Sequence, residues 1–146
     1  MRISQQGLDL LIAREGKRNT VYLDSVGKPT CGVGHMDESL VVGDVWSNEK
    51  VEEVLRNDLA RFEDAINKAV NVGLEQYQFD ALVSWLFNVG TGWAYKPARL
   101  IRLVNENKLE MAAAEFDRWH IPPEITRRRN GEREQFAGRH FVAQYS

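Results

Sequence analysis

The stretch EGKRNTVYLDSVGKPTCGVGH, Glu15 to His35, decides how the rest of the chain is read. Asp24 follows Glu15 by nine residues, Thr30 follows Asp24 by six, and Gly32, Gly34 and His35 close the segment. Between them Val21 and Tyr22, β-branched and aromatic, alternate with Gly27, Pro29, Gly32 and Gly34. That mixture predicts a small glycine-rich β-hairpin or short sheet, turning at Val26-Gly27-Lys28. A helix end facing such a hairpin can hold two carboxylates across a shallow cleft, and glycines keep its wall low enough for a bulky ligand. Two carboxylates in different surroundings can divide into an acid and a base. Inverting glycoside hydrolysis needs such a pair about 6.5–9.5 Å apart, with room for a water. The competing reading is two ordinary surface charges, one at a helix end and one in a turn.

Working outward, Ser4 is placed to cap a helix over residues 4–15, with Leu8, Leu11 and Ile12 as its apolar stripe and Gly16 as its stop. Ser47 caps a longer helix in which Val51, Val54, Leu55, Leu59, Phe62, Ile66 and Val70 recur at helical spacing, with Gly73 as its end. From Leu74 to Val89 the chain is apolar on most faces, as a buried central helix is. Two short helices are expected over Pro97–Asn105 and Lys108–Trp119, and a last one from Arg127 to about Gln144. The plan is α+β and mostly helical. A β part over about residues 17–46 is joined by a helix over about 48–70 to a helical part, which comprises about 74–146 and the first helix.

Composition narrows the function classes. The 146 residues are 43% hydrophobic and 27% charged, which suits a globular chain and excludes a disordered or collagen-like one. A formal charge of -2 compels no polyanionic partner. The single cysteine, Cys31, excludes an internal disulfide and thiolate-rich zinc sites, and it suits a reducing compartment. No run approaches the roughly 20 apolar residues of a membrane span. The N-terminal apolar stretch is broken by Asp9 and lacks a small-residue cleavage site, so it does not read as a signal peptide.

The Glu15–His35 string resembles the catalytic motif of phage-type lysozymes: Glu, eight residues, Asp, five residues, Thr, then Gly-x-Gly-His. The resemblance continues through Gln78–Leu82, Phe87–Gly92, Ala112–Phe116 with Arg118-Trp119, and Arg127-Arg128-Arg129 through Glu132 and Phe136. It implies a lysozyme-like fold in a single domain and an N-acetylmuramidase that acts by inversion on peptidoglycan. In that reading Glu15 is the general acid, and Asp24 with Thr30 holds the attacking water. Phe87 lines the sugar cleft, and His35 is a supporting residue. One of the three consecutive arginines, with Arg128 as the first choice, faces Glu15. A nearby cation favours an ionised carboxylate while a general acid is needed protonated, so partial burial has to oppose that arginine. The resemblance further implies no metal or organic cofactor, accumulation in the host cytoplasm, release by a holin-type membrane partner, and a monomer. One departure is the short Pro122-Pro123-Glu124 loop, where the family often carries a longer, glycine-rich one.

Other residues have plainer readings. His120 and His140 have no metal-type spacing with each other or with His35. Cys31, where the family usually has an aliphatic residue, reads as a small buried apolar side chain. Trp85 and Trp119 read as core, while Trp46 and Trp93 flank breaks and are open to sugar stacking. Residues 118–139 carry six arginines against three glutamates, so nucleic acid is a conceivable partner. An anionic cell wall, or internal pairing with Glu132 and Glu134, fits the mildly acidic chain better. Two rivals to the hydrolase are a lytic transglycosylase, which needs Glu15 alone, and a catalytically silent wall-binding module.

Overall fold

A computed structural model describes residues 1–90, 98–119 and 125–139. Helix α1 spans Gln5–Glu15, and Ser4 caps it by accepting a bond from the Gly7 amide. Strands β1 (Arg18–Leu23), β2 (Pro29–Gly32) and β3 (His35–Met36) form a three-stranded antiparallel sheet in chain order. The segment after β3 returns to the sheet edge. There the Val21 amide donates to the Asp44 carbonyl at 2.8 Å, and Thr20 bridges Val45.

Helix α2 spans Asn48–Ala69, capped by the Ser47 hydroxyl, with Val51, Leu55, Leu59, Phe62 and Ile66 buried along one stripe. It packs against β2 and β3 and against helix α3, Gln76–Val89. Helix α3 is apolar on most faces because it is buried on most faces: Phe79, Leu82, Trp85 and Leu86 are wholly enclosed. Around it stand α4 (Arg99–Asn105), α5 (Leu109–Glu115), a 3₁₀ turn over Phe116–Trp119, and α6 (Thr126–Phe136). One continuous apolar core runs from Val21, Cys31 and Trp46 under the sheet to Phe116 and Phe136 beside α6.

Two boundaries differ from the sequence reading, and a third is met by a contact the sequence did not show. Helix α2 spans the expected 48–70 to within a residue, and the Asn105 side chain takes over its end short of Gly73. That amide donates to the Ala69 carbonyl and accepts from the Asn71 amide, both at 2.9 Å. Helix α3 starts at Gln76, two residues past Leu74, where Glu75 and Gln78 form a reciprocal capping box. Helix α6 ends at Phe136, well short of Gln144. The amides of Arg139 and Gly138 return to the carbonyls of Glu134 and Gln135, a Schellman closure with Gly138 at φ 86°.

Trp46 and Trp85 are buried, and half-buried Trp119 meets Trp85 edge to face at 5.4 Å. Trp46 therefore belongs to the core and is not available for sugar stacking. Cys31 is fully enclosed, as a small apolar side chain would be. Thr91 to Pro97, which include Trp93, lie outside the described residues, as do His120, the Pro122-Pro123-Glu124 loop and His140.

Candidate functional site

Glu15 is the last residue of α1, and Gly16, at φ 76°, turns the chain away immediately after it. The side chain keeps 26% of its exposure and lies at one end of a shallow cleft of about 290 Å³. That cleft is lined by Val33 and Gly34 from the sheet side, Asp58, Arg61 and Phe62 from α2, and Phe87 and Asn88 from α3. Gly34 has φ 70°, a left-handed conformation that a β-carbon penalises. Phe87 packs edge to face on Phe62 at 5.4 Å, which fixes its ring as a wall of the cleft.

Asp24 sits just past the end of β1 and is held by its own turn. Its Oδ1 accepts from the Val26 and Lys28 amides at 2.9 and 2.8 Å, an Asx-type arrangement. Its backbone amide donates to the Lys28 carbonyl at 2.9 Å and closes the same turn. The register pairs Tyr22 with Thr30, so by the two-residue strand period Asp24 falls on the Thr30 face. Thr30 is 3% exposed, and its hydroxyl donates to the Lys28 carbonyl at 3.0 Å. With its proton committed, the Thr30 oxygen presents acceptor lone pairs. Asp24 and Thr30 stand outside the lining of the 290 Å³ cleft, on the part of the sheet that precedes Gly34.

Arg128 donates from one terminal nitrogen to Glu15 Oε1, from Nε to Glu132 at 3.1 Å, and from the other terminal nitrogen to the Ser84 carbonyl at 2.7 Å. Burial is the largest influence on this guanidinium and pushes its pKa down. The charges of Glu132 and Glu15, with their hydrogen bonds, outweigh burial and hold it above the ordinary arginine value. Arg129 is enclosed completely, and there burial prevails and lowers the pKa against the pull of Glu132. Both arginines stay charged, as guanidinium groups do in proteins. His35 pairs through Nδ1 with Asp58 at 2.8 Å, joining β3 to the α2 wall of the cleft. Among the described residues no three His, Cys, Asp or Glu side chains gather as metal ligands would.

The sequence profile of the phage lysozyme family matches residues 13–132, a span that holds Glu15, the sheet, the cleft walls and Glu132. The chain belongs to the phage lysozyme family. It is 40% identical to the endolysin of Salmonella phage P22 over 123 residues, 82% of this chain and 84% of that one. It is 38% identical to the endolysin of Bacillus phage PZA over 122 residues, 82% of this chain and 47% of that one. The chain thus spans about half the length of the Bacillus phage endolysins it matches. A crystal structure of a P22 lysozyme mutant superposes with a TM-score of 0.86 at 37% identity, covering 94% of this chain and 99% of that one.

Within this family fold, Glu15 and Phe87 share the cleft, Arg128 reaches Glu15, and His35 supports a cleft residue from behind. Sequence reading passed over Asp58 and Arg61, polar residues beside Phe62 on the amphipathic α2. Their signal was available, because they lie three apart and next to the apolar stripe, but it is shared by every solvated helix face. Ser84 and Asn88, which hold Arg128 and Arg129, were hidden in the apolar run of α3.

Proposed function

We propose that this chain is a peptidoglycan hydrolase, an N-acetylmuramidase that cleaves the β-1,4 bond between N-acetylmuramic acid and N-acetylglucosamine. The observation that carries the reading is Glu15 in the open cleft, anchored on one oxygen by Arg128, with Asp24 and Thr30 both bonded to Lys28 on the sheet beyond the cleft lining. Glu15 protonates the glycosidic oxygen as the bond breaks. Asp24 draws a proton from the attacking water, and the Thr30 oxygen accepts its other hydrogen bond. Attack from the side opposite the leaving group inverts the anomeric centre. Phe87 gives the sugar an apolar wall, and the residues from α1 to α6 act together as one lysozyme-like unit. No helix of the described residues is long and apolar enough to cross a membrane. We further propose that the chain works as a monomer and that a holin-type partner lets it out of the host cytoplasm.

Mass spectrometry of purified peptidoglycan digested in ¹⁸O-water tests the reaction class. Reducing muramic acid ends carrying one ¹⁸O are expected. Unlabelled anhydro-muramic ends would make the enzyme a transglycosylase and reduce Asp24 to a supporting role. Glu15→Gln is expected to abolish cleavage with the fold intact, and normal lysis by that variant would remove the acid assignment.

A further inference from the structure

We propose that Glu132 is a positioning residue for Glu15, acting through Arg128. The inference rests on Glu15 being the general acid, and it starts from a conflict at that residue. Arg128, a fixed cation, touches Glu15 directly, whereas an acid catalyst must carry its proton when it acts. Glu132 answers the conflict in two ways.

The first is charge. Glu132 is fully enclosed, and both its oxygens are engaged by cations: Oε1 by Arg129 at 2.6 Å, Oε2 by Arg128 at 3.1 Å. The Ser84 hydroxyl donates to Oε2 at 2.6 Å. Arg128 is thus shared between two carboxylates, and Arg129 is largely neutralised before its field reaches the cleft. Without Glu132, the charges of Arg128 and Arg129 would act on Glu15 with one fewer carboxylate to offset them.

The second is geometry. The Nε bond to Glu132 and the bond to the Ser84 carbonyl fix two edges of a planar guanidinium, so only the remaining nitrogen can meet Glu15. Arg14, one residue before the acid, is itself tied to Ser84 and Gln135 at 2.9 and 2.8 Å. The acid's helix, α3 and α6 are therefore joined at one polar knot inside the core. Other charged groups lie on the cleft or beside it: Asp58 and Arg61 from α2 line it with Glu15, His35 pairs with Asp58, and Asp24 stands beyond the lining on the sheet. From α3 come only the neutral Ser84 and Asn88. These groups are the same in every variant below, so a change in pH dependence reports on the knot.

The experiment is the pH–rate profile of peptidoglycan cleavage by wild type, Glu132→Gln, Glu132→Asp and Arg129→Met, each confirmed folded by circular dichroism. The alkaline limb reports loss of the acid's proton. Glu132→Gln keeps the shape and removes the negative charge. Its limb is expected to move to lower pH by on the order of 1–2 units, the effect of one charge less than about 10 Å away at an effective dielectric near 20. Arg129→Met removes a positive charge and moves the limb the other way. Glu132→Asp keeps the charge and returns the limb to its wild-type place. A limb that stays put in Glu132→Gln, with only the melting temperature lowered, makes the knot purely structural and overturns the proposal. If Glu132→Gln does not fold, an unmoved limb in Arg129→Met overturns it equally. Undiminished cleavage by Glu15→Gln is a different failure, since it removes the acid assignment on which the proposal rests.

Discussion

The candidate site has a sheet wall and a helical wall, built by opposite means. The sheet wall, whose Asp24 and Thr30 lie beyond the lining of the cleft, holds its side chains with backbone and local turns. Asp24 is oriented by amides two and four residues away, and Thr30 by a carbonyl two residues away. The helical wall holds Glu15 through a guanidinium 113 residues along the chain, itself fixed by buried partners on α3 and α6. A local turn places a side chain with little dependence on the rest of the core. A buried ion cluster places one only if several helices are already packed, because its charges are costly unless all of them are paired. In the sheet wall, function and stability should therefore be separable, and in the helical wall they should be coupled.

The largest effect tests the coupled side. Arg128→Met leaves Glu132 with one cation and the Ser84 carbonyl without its donor. Breaking a buried pair from one side costs about 3–5 kcal/mol. Urea unfolding should show that loss together with reduced cleavage, and a loss under 1 kcal/mol by rough standards of surface pairs would mean that the cluster behaves as exposed charge.

Asp24→Asn tests the separable side. The amide oxygen can still accept from Val26 and Lys28, so unfolding should change by only about 0.5 kcal/mol, as for a surface substitution. Cleavage should fall by roughly 10²–10³-fold, the usual worth of a positioned base. A matching drop in stability would show that the Asp24 turn is as coupled to the core as Arg128 is.

The smallest effect sharpens the contrast within the sheet wall. A β-carbon at Gly34 meets nothing within 4 Å, so the left-handed backbone is the whole of its cost. Gly34→Ala should lower stability by about 1–2 kcal/mol. Turnover of a small soluble glycan should hold while that of cross-linked wall falls, because a higher wall obstructs bulk and leaves the acid and water untouched. Equal loss on both substrates would place the strain at the reacting groups themselves.

Much of this architecture was legible in the chain. Ser4 and Ser47 announced the two helix starts, Gly16 the end of α1, and the glycine-rich segment the sheet, because caps and turns depend on neighbours a few residues apart. The stop at Phe136 was misplaced, and the contact that ends α2 at Ala69 was not readable. Asn105 ends α2 from a distant helix, which no local pattern records. Gly138 was a local signal outweighed by the length of the arginine-rich run. Trp46 looked free for a ligand because it flanks a break, yet the sheet folds back over it onto Val51 and Gly32.

At the site, the sequence by itself determined the residues that short-range geometry can place: Glu15 at a helix end, Asp24 in its turn, and Thr30 on the adjoining strand. Tertiary structure decided which arginine meets the acid, that Asp58 and Arg61 line the cleft, and that Glu132 sits enclosed between two guanidinium groups. The physical reason is range. Turns and caps act through bonds between near neighbours, whereas the charge around Glu15 is the sum of groups on α1, α2, α3 and α6, which become neighbours only when the core closes.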